Sequence, residues 1–209
     1  DGYKNLRDSV AYLESQAEGI KAAMGKAEVR GRMLYEAAWS MRNLAEPEIA
    51  AARKAKKEEI LKKLGAMAEK APLPPITLDQ IPLQPSEKKA MDLYRRLIND
   101  FGDLALALEG RFELAELMAQ RNDQDGALKL LGEALDKEPG QELTEKIRLR
   151  LGTLHAAKGN LKGALAQFDA VAANPKSNLI GWAHYHAGES LLKKREGGSN
   201  PASWKMREM

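Results

Sequence analysis

The sequence predicts an all-α protein, a solenoid of helix-turn-helix units with no sheet. Three observations predict it. Ala90, Ala127, Ala164 and Ala202 recur at intervals of 37, 37 and 38 residues. Each of the first three opens the same pattern of a small residue, a bulky one four later and an apolar or small one three after that: Ala90/Tyr94/Leu97, Ala127/Leu131/Ala134 and Ala164/Phe168/Val171. Units repeating at this length bury their apolar faces only against their neighbours. Second, helical spacing of apolar residues runs through the chain, and no useful length alternates with period two. Third, the 209 residues are 44% hydrophobic and 30% charged but only 5% aromatic, a balance typical of all-helical proteins.

The elements follow in order. Residues 4–24 read as an amphipathic helix with Leu6, Val10, Leu13, Ala17, Ile20 and Met24 on one face. A second helix is expected over 32–44, with Leu34, Ala37, Ala38 and Met41. Glu46-Pro47 reads as a turn that places proline near a new N-terminus, followed by a charged helix over about 48–70. Residues 71–85 hold five of the nine prolines, which remove donors and forbid helix interiors, so an extended linker is expected. It is apolar, with Leu73, Ile76, Leu78, Ile81 and Leu83. It reads either as a strap over the solenoid surface or as a ligand for a groove. Ser86 is expected to cap a helix over 87–100, and further helices are expected over 104–121, 124–137, 142–158, 161–173 and 178–195. The division is therefore N-terminal helices over 1–70, the linker over 71–85, and repeats over 86–209.

The pattern becomes specific at Leu114–Pro139. Leu114-Ala115 and Met118 fill a first helix, Ala127, Leu131 and Ala134 a second, and Pro139 ends the unit. Leu151-Gly152, His155, Gly159, Ala164, Phe168, Val171 and Pro175 repeat it, and Ala187-Gly188 and Leu191 begin it again. This resembles the tetratricopeptide repeat, a helix-turn-helix of about 34 residues whose small positions let two helices approach closely. The longer spacing here places the extra residues in loops, where insertion costs little. Ala37-Ala38 and Met41 resemble another first helix, but Lys54 stands where the following helix needs an apolar residue. The arrays most similar are the divergent ones of bacterial envelope proteins, which implies a periplasmic or other extracytoplasmic setting; the absence of cysteine fits periplasm and cytosol alike. By the same register, residues 4–24 read as a second helix lacking its first and residues 200–209 as half of another. The ends are then expected to continue or to be covered by another subunit.

Chemistry is harder to find. Without cysteine there is neither a disulfide nor a thiolate metal site. His184 and His186 lie two apart, which on a helix points them about 200° apart, so they do not form a metal pair. His155 reads as a packed residue. No phosphate loop, nucleophile elbow or zinc spacing occurs. The basic cluster from Arg53 to Lys63 contains Glu58 and Glu59, so it reads as a solvated, ion-paired helix. A net charge of +3 gives no reason to expect nucleic acid or an anionic membrane. No apolar run reaches the roughly 18 residues of a membrane span.

The resemblance implies binding. First helices line the concave face of such arrays, which implies a partner-binding face of Glu109, Phe112 and Glu116, then Lys146, Leu149 and Thr153, then Trp182, Tyr185 and Glu189. Trp182 has a second reading as a packing residue between repeats. The family's carboxylate-clamping positions hold Phe112 and Glu116 here, which argues against an adaptor for chaperone tails. The expectation is a non-catalytic scaffold without cofactor or metal, acting as an assembly subunit with protein partners or further copies of the chain. The alternative is an adaptor that takes an extended peptide in its groove.

Overall fold

A computed structural model describes residues 2–19, 26–64 and 75–198. Among the described residues there are eight α-helices and no strand: α1 (Gly2–Gly19), α2 (Ala27–Leu64), α3 (Pro85–Asp100), α4 (Ala105–Gln120), α5 (Gln124–Leu135), α6 (Gln141–Ala157), α7 (Leu161–Ala172) and α8 (Ile180–Gly198). A 3-10 turn, Leu78–Gln80, precedes α3. The chain divides into two compact units, Asp1–Ala127 and Leu128–Met209. Expectations that involve Ile20, Met24, Leu73, Ala202 or residues 200–209 lie outside the described residues.

The repeated triplets form the core. Ala90, Tyr94, Leu97, Ala127, Leu131, Ala134, Ala164, Phe168 and Val171 are all at most 1% exposed. Small residues in this pattern set helix separation. A Cβ built on Gly110 would lie 2.9 Å from Leu97 Cδ2, and one on Gly152 would lie 2.3 Å from Phe168 Cε1. In the second unit Ala164, Phe168, Val171 and Ala183 make a buried cluster against which Leu149, Ala156, Leu179 and Ala187 pack.

Helix ends follow side-chain chemistry. Asp123 Oδ1 accepts from the Gly126 N–H at 3.0 Å, and Asn160 Oδ1 accepts from the Gly163 N–H at 3.0 Å. Each satisfies a donor that a helix N-terminus leaves free. Asn122, Glu138 and Gly159 take positive φ after α4, α5 and α6, the left-handed conformation that ends many helices.

Two expectations need correction in the first unit. Pro47 does not start a new helix, because α2 runs unbroken through it for 38 residues. An interior proline costs a helix roughly 3 kcal/mol. Tertiary contacts outweigh that here. Leu44 and Ala45 are buried just before it, and Glu48 just after it accepts from Arg7 of α1 at 3.1 Å. Ser86 does not cap α3 either. Pro85 opens the helix, with Gln84 as its cap residue. The Ser86 hydroxyl donates to Glu48 Oε1 at 2.7 Å and its N–H to Glu48 Oε2 at 3.0 Å. A carboxylate from another helix thus satisfies the N-terminus of α3.

The described part of the proline-rich segment lies on the first unit. Leu78 and Ile81 are buried and Leu83 is 45% exposed. Arg121, at the end of α4, holds it. Its guanidinium donates to the carbonyls of Leu78, Ile81 (2.7 Å) and Pro82 (3.3 Å), and to both carboxylate oxygens of Glu87, with Nε to Oε1 at 2.6 Å. The Glu87 side chain is 1% exposed. The sequence placed Arg121 in a polar turn; the structure makes it a half-buried fastener.

Candidate functional site

The residues expected on a concave face fall in both units, and each set is described by itself. Lys146, Leu149 and Thr153 stand on α6, and Trp182, Tyr185 and Glu189 on α8, all in the second unit. Glu109, Phe112 and Glu116 stand on α4 in the first.

In the second unit α6, α7 and α8 enclose a groove of about 930 Å³. Thr153 and Glu189 line it, with Phe168, Lys162, His186 and Lys193 among the other walls. Phe168 is nearly fully buried and forms the apolar floor. The α7–α8 turn is pinned to α6 by Glu145, which accepts from the Ser177 hydroxyl at 2.6 Å and from the Asn174 amide. These bonds, Ser177 first, hold the Glu145 carboxyl below the usual range.

An aromatic ladder climbs from this groove along α8. His186 stacks on Phe168 at 6.0 Å between centroids and on Trp182 at the same distance. Tyr185 meets His186 edge-on at 5.2 Å and Trp182 at 6.2 Å. Trp182 is 56% exposed and Tyr185 60% exposed. Such rings supply large contact area while losing little rotamer entropy on binding. Leu149 is half-buried against the core cluster, and Lys146 pairs with Glu142 at 2.6 Å.

Polar groups set the charge of the groove wall. Lys193 donates to Glu189 Oε1 at 2.8 Å, and His186 Nδ1 lies 3.5 Å from Glu189 Oε2. Lys193 first, then His186, lower the Glu189 carboxyl below its ordinary value, and Glu189 raises Lys193 in return. Sequence reading missed His186 and Phe168 as site residues. The signal for His186 was present, since it is four residues from Trp182, which places the two on one side of α8; Phe168 comes from another helix, and spacing along α8 does not reach it.

Among the described residues no group of three His, Asp or Glu side chains could hold a metal ion. No described helix is long and apolar enough to cross a membrane. A family model described as a tetratricopeptide repeat-like domain matches residues 45–179, well over half of the chain. No curated protein matches it.

Proposed function

Because the chain belongs to the tetratricopeptide repeat-like family, whose domains generally mediate protein–protein interactions and are typically non-catalytic, we propose that it is a non-catalytic scaffold that holds protein partners in a larger assembly. The observation that carries this reading is the exposure of Trp182 and Tyr185 beside the groove of the second unit. Aromatic side chains next to a concave apolar floor are the residues in which interfaces concentrate their binding energy. Thr153, Glu189 and Lys193 supply polar groups around them, which gives orientation rather than bulk affinity.

Capture of an extended peptide is the second reading. It is favoured by the groove itself, whose apolar floor and mixed polar wall suit a few side chains of a strand-like segment. Sedimentation of the protein, alone and in native extract, tests the assembly reading. We expect a heavier species containing a protein partner, and Trp182→Ala/Tyr185→Ala should weaken it roughly 10- to 100-fold with an unchanged melting temperature. A chain that sediments as a monomer in both settings excludes the assembly role. Retention of synthetic peptides by the same monomer would then select capture.

A further inference from the structure

The basic stretch of α2 is ion-paired on one side only. No residue of α2 beyond Ala45 is buried, although the helix continues to Leu64. Six cationic side chains and two carboxylates, Glu58 and Glu59, lie between Arg53 and Leu64. Glu59 is engaged within the helix. It accepts from Lys56 Nζ at 3.0 Å and from Lys63 Nζ at 2.6 Å, neighbours at three and four residues that helical geometry brings beside it. Glu58 comes four after Lys54 and four before Lys62.

The other side of the helix holds cations and leucines together. Lys57 follows Arg53 by four and Lys54 by three, and Ile60, Leu61 and Leu64 follow Lys57 by three, four and seven. These six residues therefore share one side, with Glu58 at its edge. Arg53, Lys54 and Lys57 are exposed, and among the described residues they make no hydrogen bond or ion pair. Ile60 is half-buried, Leu61 is 36% exposed and Leu64 39% exposed. Arg53/Lys57 and Lys54/Lys57 are like-charge pairs at four and three residues, which weaken a helix on their own account. A surface that brought carboxylates to them would relieve that repulsion, and apolar groups beside those carboxylates would cover the leucines.

We propose that this side of α2 docks an acidic segment of a partner protein, with carboxylates on Arg53, Lys54 and Lys57 and aliphatic side chains on Leu61 and Leu64. The inference rests on the reading of the chain as a protein-binding module, but on a surface separate from the groove of the second unit. Charge complementarity selects an acidic occupant and repels basic segments. The interleaving of charge and leucine selects a protein. A helix that lies in a bilayer keeps its cations off its apolar face, whereas Arg53 and Lys57 stand on the same side as Leu61 and Leu64. A nucleic-acid backbone would meet the cations and leave the leucines uncovered.

The test uses the full chain and two fluorescein-labelled peptides read by anisotropy, one repeating Glu-Leu-Glu-Glu and the other Lys-Leu-Lys-Lys. The acidic peptide should bind and the basic one should not. Lys54→Gln/Lys57→Gln should weaken the acidic peptide about tenfold, whereas Lys56→Gln/Lys63→Gln on the paired side should change it less than about twofold. Equal weakening by both pairs would mean diffuse attraction and would overturn the proposal, as would unchanged binding in the first pair. Leu61→Ser/Leu64→Ser should weaken the acidic peptide about fivefold or more and leave labelled hexaglutamate unaffected. No loss with the serine variant would reduce the surface to bare charge and reject it as a docking site for protein. Phosphatidylserine vesicles or duplex DNA binding more tightly than the acidic peptide would give the surface to lipid or nucleic acid and likewise overturn it. None of the substituted residues is buried, so every variant keeps the parent fold. Loss of partner from Trp182→Ala/Tyr185→Ala in sedimentation is a separate result, so either idea can fail alone.

Discussion

Gly152 carries the close approach of α6 to α7, and its neighbour leaves no room. Its missing Cβ would fall 2.3 Å from Phe168 Cε1, and Phe168 is 1% exposed, so a packed ring must shift to admit it. Gly152→Ala should therefore destabilise the second unit by roughly 1–3 kcal/mol through overpacking. Gly132 is the contrast, because a Cβ there meets nothing within 4 Å. It sits in the interior of α5, so Gly132→Ala should stabilise by roughly 0.5–1 kcal/mol. Denaturant unfolding of the two variants measures both signs. Equal effects would mean that the helix separation is not set by Gly152.

At the scale of elements, the segment before α3 is held by the Arg121 guanidinium and by the burial of Leu78 and Ile81. Arg121 has five N–H donors, and the carbonyls of Leu78, Ile81 and Pro82 together with Glu87 take them up. Removing it leaves the buried Glu87 carboxylate uncompensated. Arg121→Ala should cost roughly 3–5 kcal/mol. Arg121→Met with Glu87→Leu should recover most of that, since replacing both partners of a buried ion pair is often neutral. The double variant still lacks a donor for the Leu78 and Ile81 carbonyls. Limited proteolysis should therefore cut residues 75–84 faster in both variants than in the parent. Slow cutting in the double variant would show that the burial of Leu78 and Ile81 alone holds the segment.

For the whole molecule, the cluster between α2, α3 and α4 sets a pH response. Burial first, then Glu113, Glu109 and Glu36, push the Tyr35 phenol from its usual 10.0 up to about 12 against Arg42. The folded state thus keeps this proton more tightly than the unfolded state. Its contribution to stability is complete below pH 10.0 and is lost as pH rises through about 12. Other groups also titrate in base, so the difference between the parent and Tyr35→Phe isolates it. The parent should lose more stability between neutral pH and pH 12 than Tyr35→Phe does. Parallel curves would place Tyr35 outside the field of these carboxylates. Glu113 is raised as well, so its protonation favours the fold as pH falls through the carboxylate range.

The sequence by itself determined the helical class, the spacing of the repeats and most of the core. Those features rest on local periodicity, and Ala90, Tyr94, Leu97, Ala164, Phe168 and Val171 are buried as that periodicity requires. Trp182 and Tyr185 entered through the family resemblance, which implies them for a partner-binding face. Tertiary structure alone decided what depends on residues distant in the chain. Pro47 stays inside α2 because packing on both sides of it exceeds a local preference. Ser86 gives its hydroxyl to Glu48, 38 residues away, rather than to its own helix. Arg121 reaches back 34 residues to Glu87, and Tyr94 meets Tyr35 across two helices. A pattern read along one dimension registers neighbours at three and four residues. It does not register which polar group, far along the chain, will satisfy a buried charge such as Glu87.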